Sequence, residues 1–301
     1  MRQKNARTRA GKATAPASKA TVRASTPAAP ASKAPVRAST PAVQARGRGV
    51  RSGTVAVNGI RMHYQRYGQG EPLLLLHGFT GAGGDWAPFV EPLSSEHELI
   101  IPDLRGHGRS TNPSGTYTHR QAALDVLALL DRLDVGSVKA IGVSGGANAL
   151  LHMATRQPSR VEAMVLVSGA SYYAEQARAF MRQFTVESHT DEQWRIMRQR
   201  HRHGDRQILA LWAQANGFKD SYDDMSFTPP HLATISARTL LVSGDRDPLV
   251  PVSIAVEMYT AIPRAWLWIV PNGGHGPVAG DMRGRFVEAA TAFLRGEGWG
   301  G

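Results

Sequence analysis

The chain has no cysteine among its 301 residues, which removes disulfides, thiolate metal sites and a cysteine nucleophile together. No acidic residue precedes Glu71, and no apolar stretch approaches the length of a membrane span. No apolar core of a secretory leader stands near the start either. A cytoplasmic location is therefore the expectation, with an organellar one as the alternative if the start of the chain acts as a transit peptide. The acid-poor stretch is also poor in apolar residues. Residues 1–52 are nearly all Ala, Pro, Ser, Thr, Lys and Arg, and a twelve-residue unit starting at Pro16 recurs at Pro30 with one change. Such a segment buries too little surface to offset its ordering entropy, so a disordered tail is expected.

That tail carries twelve Lys or Arg, while the whole chain is +11, so the other 249 residues sum to about −1. The pI near 10.4 therefore belongs to the tail and says nothing about the rest. Three roles are open to the tail: an organellar transit peptide, a charge-driven contact with nucleic acid or an anionic surface, or a solvated extension without a dedicated role. Residues 53–301 suffice for one large domain with a substantial core.

Within them, Asn58-Gly59 separates two strand-like runs and signals a tight hairpin. Continuous apolar runs follow at 72–76, 99–101, 138–143, 164–167, 239–242 and 266–270, as expected of strands buried on both faces of a parallel sheet. Helix-period stretches lie between them, the clearest around Ala122, Val126, Leu129, Leu130 and Leu133. This predicts an α/β fold: a mostly parallel central sheet with helices on both faces, led by an antiparallel hairpin. Residues 171–234 contain no buried-strand run. They read as a helical cap inserted between a first core part, 53–170, and a second, 235–301. Aromatics such as Phe184, Trp194, Trp212 and Phe218 serve mainly its internal packing, at the strand-end position where α/β sheets bind ligands.

The pentapeptide Gly142-Val143-Ser144-Gly145-Gly146 joins an apolar run to a helix-like stretch. A serine on a sharp strand-to-helix turn is held clear of the sheet, and the flanking glycines leave room for the turn. A serine hydroxyl is a poor nucleophile until a base takes its proton, and that base needs a carboxylate to fix its tautomer. Two later strands run into glycine-containing loops, one carrying Asp245 and Asp247 and the other His275. Chain order Ser…Asp…His suits such a sheet.

These segments, with Leu76-His77-Gly78-Phe79 and the run from Asp103 to Ser110, resemble the α/β-hydrolase family across the whole of 53–301. The resemblance implies Ser144 as nucleophile, Asp247 as acid and His275 as base, with the backbone N–H groups of Phe79 and Gly145 as the oxyanion hole. It implies no cofactor and no metal. Gly145 departs from the usual Met or Gln after the serine and is expected to widen the site slightly. The pattern selects Asp247 over Asp245, leaving the latter a loop-capping role. Among eleven histidines, His77 and His107 are expected to brace backbone, and His201 with His203, two apart on a presumed helix, diverge too far to hold a metal. The Asp103 loop is expected to be structural.

The resemblance implies hydrolysis of a small or medium carboxylic ester or lactone. A carbon–carbon hydrolase, a perhydrolase and a hydroxynitrile lyase are alternatives on the same triad. Members that open epoxides or displace halide use a carboxylate where this chain has Ser144. A non-catalytic binding module is a different class, which a complete triad argues against, and a nucleic-acid-associated protein built around the tail is a third hypothesis.

Overall fold

A computed structural model describes residues 50–297. The Asn58-Gly59 turn, both residues at positive φ, pairs β1 (Arg51–Val57) with β2 (Ile60–Tyr67) in antiparallel register. β1 begins at Arg51, so the first strand starts two residues inside the segment whose composition reads as tail. Those two residues are polar, and what orders them is pairing rather than burial: Arg51 faces Arg66 across the ladder and is ion-paired with Glu98. The tail reading otherwise falls on residues outside those described.

Strands and helices then alternate. In chain order they are β3 (Glu71–Leu76), α1 (Ala87–Ser94), β4 (His97–Pro102), α2 (His119–Arg132), β5 (Val138–Val143), α3 (Gly145–Arg156) and β6 (Val161–Val167). After an inserted helical segment come β7 (Arg238–Gly244), α8 (Val252–Ala261), β8 (Ala265–Val270) and α9 (Arg283–Arg295), the inserted helices being α4 (Glu175–Met181), α5 (Asp191–Arg200), α6 (Asp205–Gly217) and α7 (Pro229–Leu232). The strands form one eight-stranded sheet ordered β1-β2-β4-β3-β5-β6-β7-β8, antiparallel around β2 and parallel from β4 to β8.

The four leucines of β3 show why the runs are continuous. Successive strand side chains point to opposite faces. Leu73 and Leu75 join Phe89 of α1 and Phe286 and Phe293 of α9 on one face. Leu74 and Leu76 join Leu127 of α2, Leu150 of α3 and Ile254 of α8 on the other. All four are completely buried. β8 departs from this pattern. It is an edge strand paired only with β7, and of its residues only Val270 is buried. Its run is apolar because Trp266 and Trp268 cover one flank of the core, with Trp266 edge-on to Phe293 at 5.5 Å.

Between β6 and β7 the chain adds no strand to the sheet. The segment, called the cap below, carries α4 to α7 and one isolated bridge between Tyr172 and Ser226. Trp212 stacks on His189 at 3.7 Å and meets Trp194 edge-on at 4.5 Å, so these rings pack the cap itself. Phe218 instead turns toward Phe79, 4.7 Å away between ring centres.

Candidate active site

The candidate reacting groups all hang from C-terminal ends of parallel strands, where loops converge at one edge of the sheet. Ser144 follows β5, Phe79 follows β3, Asp247 follows β7 and His275 follows β8. Ser144 sits at φ 51° and ψ −115°, a conformation few non-glycine residues adopt. It is held by two backbone bonds. Its N–H donates to the Val167 carbonyl at 2.8 Å, and its carbonyl accepts from the Asn148 N–H at 2.9 Å.

The turn is possible because nothing projects from Gly146. A Cβ there would lie 2.3 Å from the Leu76 carbonyl oxygen and 2.7 Å from that of His77. Both obstacles are backbone at the end of a central strand and cannot swing aside. Gly146→Ala is therefore expected to cost about 3 kcal/mol or more, by the measure of overpacked cores. Chemical denaturation monitored by far-ultraviolet circular dichroism checks it, and a midpoint equal to wild type would contradict it.

Three side chains meet in line. His275 Nε2 lies 2.8 Å from Ser144 Oγ, and His275 Nδ1 lies 2.8 Å from Asp247 Oδ2 and 3.0 Å from Oδ1. The Asp247 side chain is fully buried, whereas His275 keeps about a quarter of its side chain exposed. Burial alone would push the Asp247 carboxyl up. The bond to His275, that ring's charge and the N–H groups of Val250 and Leu249 outweigh it, so the group lies below the ordinary carboxylate range. Those two N–H groups reach Oδ1 at 3.0 and 2.8 Å, so Asp247 also caps its own loop. Asp245 does not have the loop-capping role expected of it. The residue lies at the surface with about a third of its side chain exposed, and it pairs with Arg246 at 4.0 Å.

Phe79 and Gly145 lie side by side: a Cβ on Gly145 would be 3.1 Å from the Phe79 nitrogen. As the first residue of α3, Gly145 has an N–H with no acceptor inside the helix. Phe79 Cβ and His119 Nε2 border the place of the missing side chain, at 3.3 and 3.5 Å from that same Cβ.

The loop bearing Phe79 is clamped by imidazoles. Thr80, at φ 65°, donates its N–H to His107 Nε2 at 3.1 Å, and its carbonyl accepts from His201 Nε2 at 3.1 Å. His107 Nδ1 donates to the Arg105 carbonyl, and His201 Nδ1 accepts from the Gly108 N–H. His77 likewise accepts from the Leu104 N–H and donates to the Gly78 carbonyl. Each ring donates through one nitrogen and accepts through the other, which only the neutral form can do. Burial pushes all three down, His201 to about 4 and His107 well below its usual value. α5 ends at Arg200, so His201 and His203 are not a helical pair as expected. His201 is extended, and His203 Nε2 is held by the Arg109 carbonyl.

Stability should consequently drop in mild acid. Between about pH 6.5 and 4 the unfolded chain binds protons at these rings and at His152, itself lowered to about 4 by burial, while the folded chain does not. Their contribution is complete above the unfolded value and falls away as pH drops. The melting temperature is expected to fall by about 5 °C or more from pH 7 to pH 4. A flat profile would show that these rings protonate in place.

The Asp103 loop is structural, as its sequence suggests. The carboxylate accepts from the N–H groups of Gly83 and Arg109, at 2.7 and 2.8 Å. A surface cleft of about 520 Å³ beside α2, lined by Asn58, Arg105, Gln121 and Asp131 among others, holds none of the triad. Sequence reasoning missed Ser168, whose Oγ accepts from the Gly276 N–H at 3.0 Å and steadies the His275 loop. It also missed His119 and its partner Asp224. Neither belongs to a motif, and the pair is about a hundred residues apart in the chain.

Comparison with known proteins agrees with this fold. A model of the α/β hydrolase fold matches residues 71–201, and one of TAP-like proteins matches 223–296. The first span holds Phe79, Ser144 and Gly145, the second Asp247 and His275. The chain belongs to the α/β-hydrolase family. It is an enzyme of the hydrolase class.

Similar curated proteins include the soluble epoxide hydrolase of Corynebacterium sp. strain C12, 34% identical over 37% of this chain and 39% of that protein. Mouse serine hydrolase BPHL is 28% identical over 73% of this chain and 78% of its own length. Among solved structures, the enol-lactonase of Burkholderia xenovorans LB400 superposes with a TM-score of 0.67 at 23% identity, covering 81% of this chain and all of that one. Among the described residues of this family member, no helix is long and apolar enough to cross a membrane.

Proposed function

We propose that the protein hydrolyses a small or medium carboxylic ester or lactone through an acyl-enzyme on Ser144. The observation that carries this is the unbroken line of hydrogen bonds from Ser144 Oγ through His275 to Asp247. With Asp247 accepting the Nδ1 proton, Nε2 is left as an acceptor for the hydroxyl proton of Ser144. The serine oxygen then attacks the carbonyl, and the charge developing on oxygen falls to the N–H groups of Phe79 and Gly145. His275 returns the proton to the leaving oxygen. Water, activated by the same Nε2, releases the acid. Asp247 keeps the tautomer throughout and favours the imidazolium that forms.

The name of the mouse relative, a serine hydrolase, is in keeping with this reading. The epoxide hydrolase is informative by contrast: it matches over 39% of its length, and the family members that open epoxides carry a carboxylate where this chain has Ser144. Substrate preference would be set by the cap, residues 171–234, which lies between strands that carry the triad. The test is a panel of p-nitrophenyl esters of increasing chain length and a set of lactones, with fluorophosphonate labelling run in parallel. No turnover and no label on wild-type protein would overturn the reading.

Deleting residues 1–49 is expected to leave kcat/KM on a neutral ester within about a factor of two, because that composition offers little with which to dock. The cut must stop short of Arg51, since β1 is part of the sheet. A larger loss on the neutral ester would give the tail a part in turnover. A loss confined to anionic esters and screened by salt would reflect charge alone.

A further inference from the structure

His119, the first residue of α2, is 1% exposed and lies between the cap and the oxyanion hole. On one side its Nδ1 donates to Asp224 Oδ2 at 2.8 Å, and its own backbone N–H donates to the same oxygen at 2.6 Å. The other carboxylate oxygen accepts from the Arg120 N–H at 3.0 Å. Asp224 comes from the cap, between α6 and α7, and is itself 6% exposed. Burial pushes its carboxyl up, but these donors prevail and hold it at about 2, so it is anionic when it grips the start of α2. The carbonyl of Asp224 is held separately, by His152 Nε2 at 2.8 Å.

On the other side, His119 Nε2 borders the space beside Gly145. A Cβ there would be 3.5 Å from Nε2 and 3.1 Å from the Phe79 nitrogen, so the ring edge and both oxyanion-hole residues converge on one point. The ring contacts Phe218 of the cap at 5.0 Å and Tyr117 at 5.4 Å, and each of these packs on Phe79, at 4.7 and 4.9 Å. The Tyr173 hydroxyl, 3.5 Å from Nε2, closes the remaining edge.

A filler of this space needs only volume. This ring is instead fixed in its own plane by a buried carboxylate that the cap supplies. We propose that His119 is a positioning residue for the oxyanion hole, and that Asp224 couples its placement to the seating of the cap. The proposal rests on the acyl-transfer reading above. It makes the absent side chain at Gly145 and the histidine at 119 two halves of one arrangement. A cap displaced from α2 withdraws Asp224, releases the ring and leaves the Phe79 and Gly145 N–H groups less well fixed.

The experiment compares wild type, His119→Leu, Asp224→Asn, the double variant, Gly145→Ala and Arg200→Ala on one p-nitrophenyl ester. kcat is expressed per fluorophosphonate-titrated site, so that unfolded protein does not count. Removing an oxyanion-hole donor outright costs about 10²–10³ in kcat, so loosening both should cost about 10- to 100-fold. His119→Leu and Asp224→Asn are each expected to show that loss, with KM changed less than about threefold. The double variant should be no slower than the worse single one, as for groups that act as a unit.

Gly145→Ala tests the same point without removing either member of the buried pair. Its added methyl presses on the Phe79 nitrogen at a helix position that suits alanine, and it should lower kcat alone. Arg200→Ala breaks a different cap–core contact, the exposed ion pair with Asp85, and should leave both constants unchanged. Wild-type kcat in His119→Leu or in Gly145→Ala, additive losses in the double variant, or an equal loss in Arg200→Ala would each overturn the proposal. If wild type neither turns over nor labels, the acyl-transfer reading is what has failed.

Discussion

Ser144→Ala is expected to lower kcat by about five to six orders of magnitude, the loss seen when the nucleophile of a serine triad is removed. The fold should survive it. The backbone bonds from Ser144 to Val167 and Asn148 do not involve the side chain, and alanine keeps the same Cβ in the same strained turn. The hydroxyl's bond is to His275 Nε2, and His275 is open enough to solvent for water to take the vacated place. Stability should therefore stay within about 1 kcal/mol of wild type. Fluorophosphonate labelling followed by peptide mass analysis gives the direct check. Wild type should carry one label, on the peptide containing Ser144, and the variant none. A label on another serine, or substantial turnover by the variant at matched purity, would remove Ser144 from the mechanism.

Ser144 was legible because the constraint on it is local. A strand, a turn too tight for side chains and a helix follow one another within about fifteen residues, and each leaves its own mark on composition. The buried strands were legible for the same reason, since β3 to β7 must be apolar at successive positions when helices cover both faces. β8 misled for the converse reason: its tryptophans cover a flank, and their bulk imitates burial on two sides. Asp247 and His275 could be placed because each follows an apolar run in the order the sheet requires. That His107 braces backbone could be read, whereas the grip of His201 on Thr80 could not. It depends on a residue of the cap meeting two core loops, and no period in the sequence encodes that meeting. His119 and Asp224 were hidden likewise. Gly145 was noticed, yet its neighbours were not, because a glycine in sequence says that a side chain is missing and not what borders the room.

Asp247→Asn is expected to lower kcat by about 10⁴, as the same change does in another serine triad. The loss comes from the tautomer. An asparagine oxygen in the place of Oδ1 can still accept from the Leu249 and Val250 N–H groups, so the loop keeps its shape. The amide nitrogen then faces His275 Nδ1 where Oδ2 stood, and that ring nitrogen must accept instead of donate. Nε2 takes the ring proton and can no longer receive the one from Ser144. Asp245→Asn should change kcat by less than about twofold, because a surface group paired with Arg246 at 4.0 Å has little to lose. Steady-state kinetics on a single ester, with melting temperatures alongside, separates the two. Both variants should melt near wild type, and only Asp247→Asn should be slow. If Asp245→Asn is the inactive one, the acid of this triad lies two residues earlier and the short bonds to His275 are not those used in turnover.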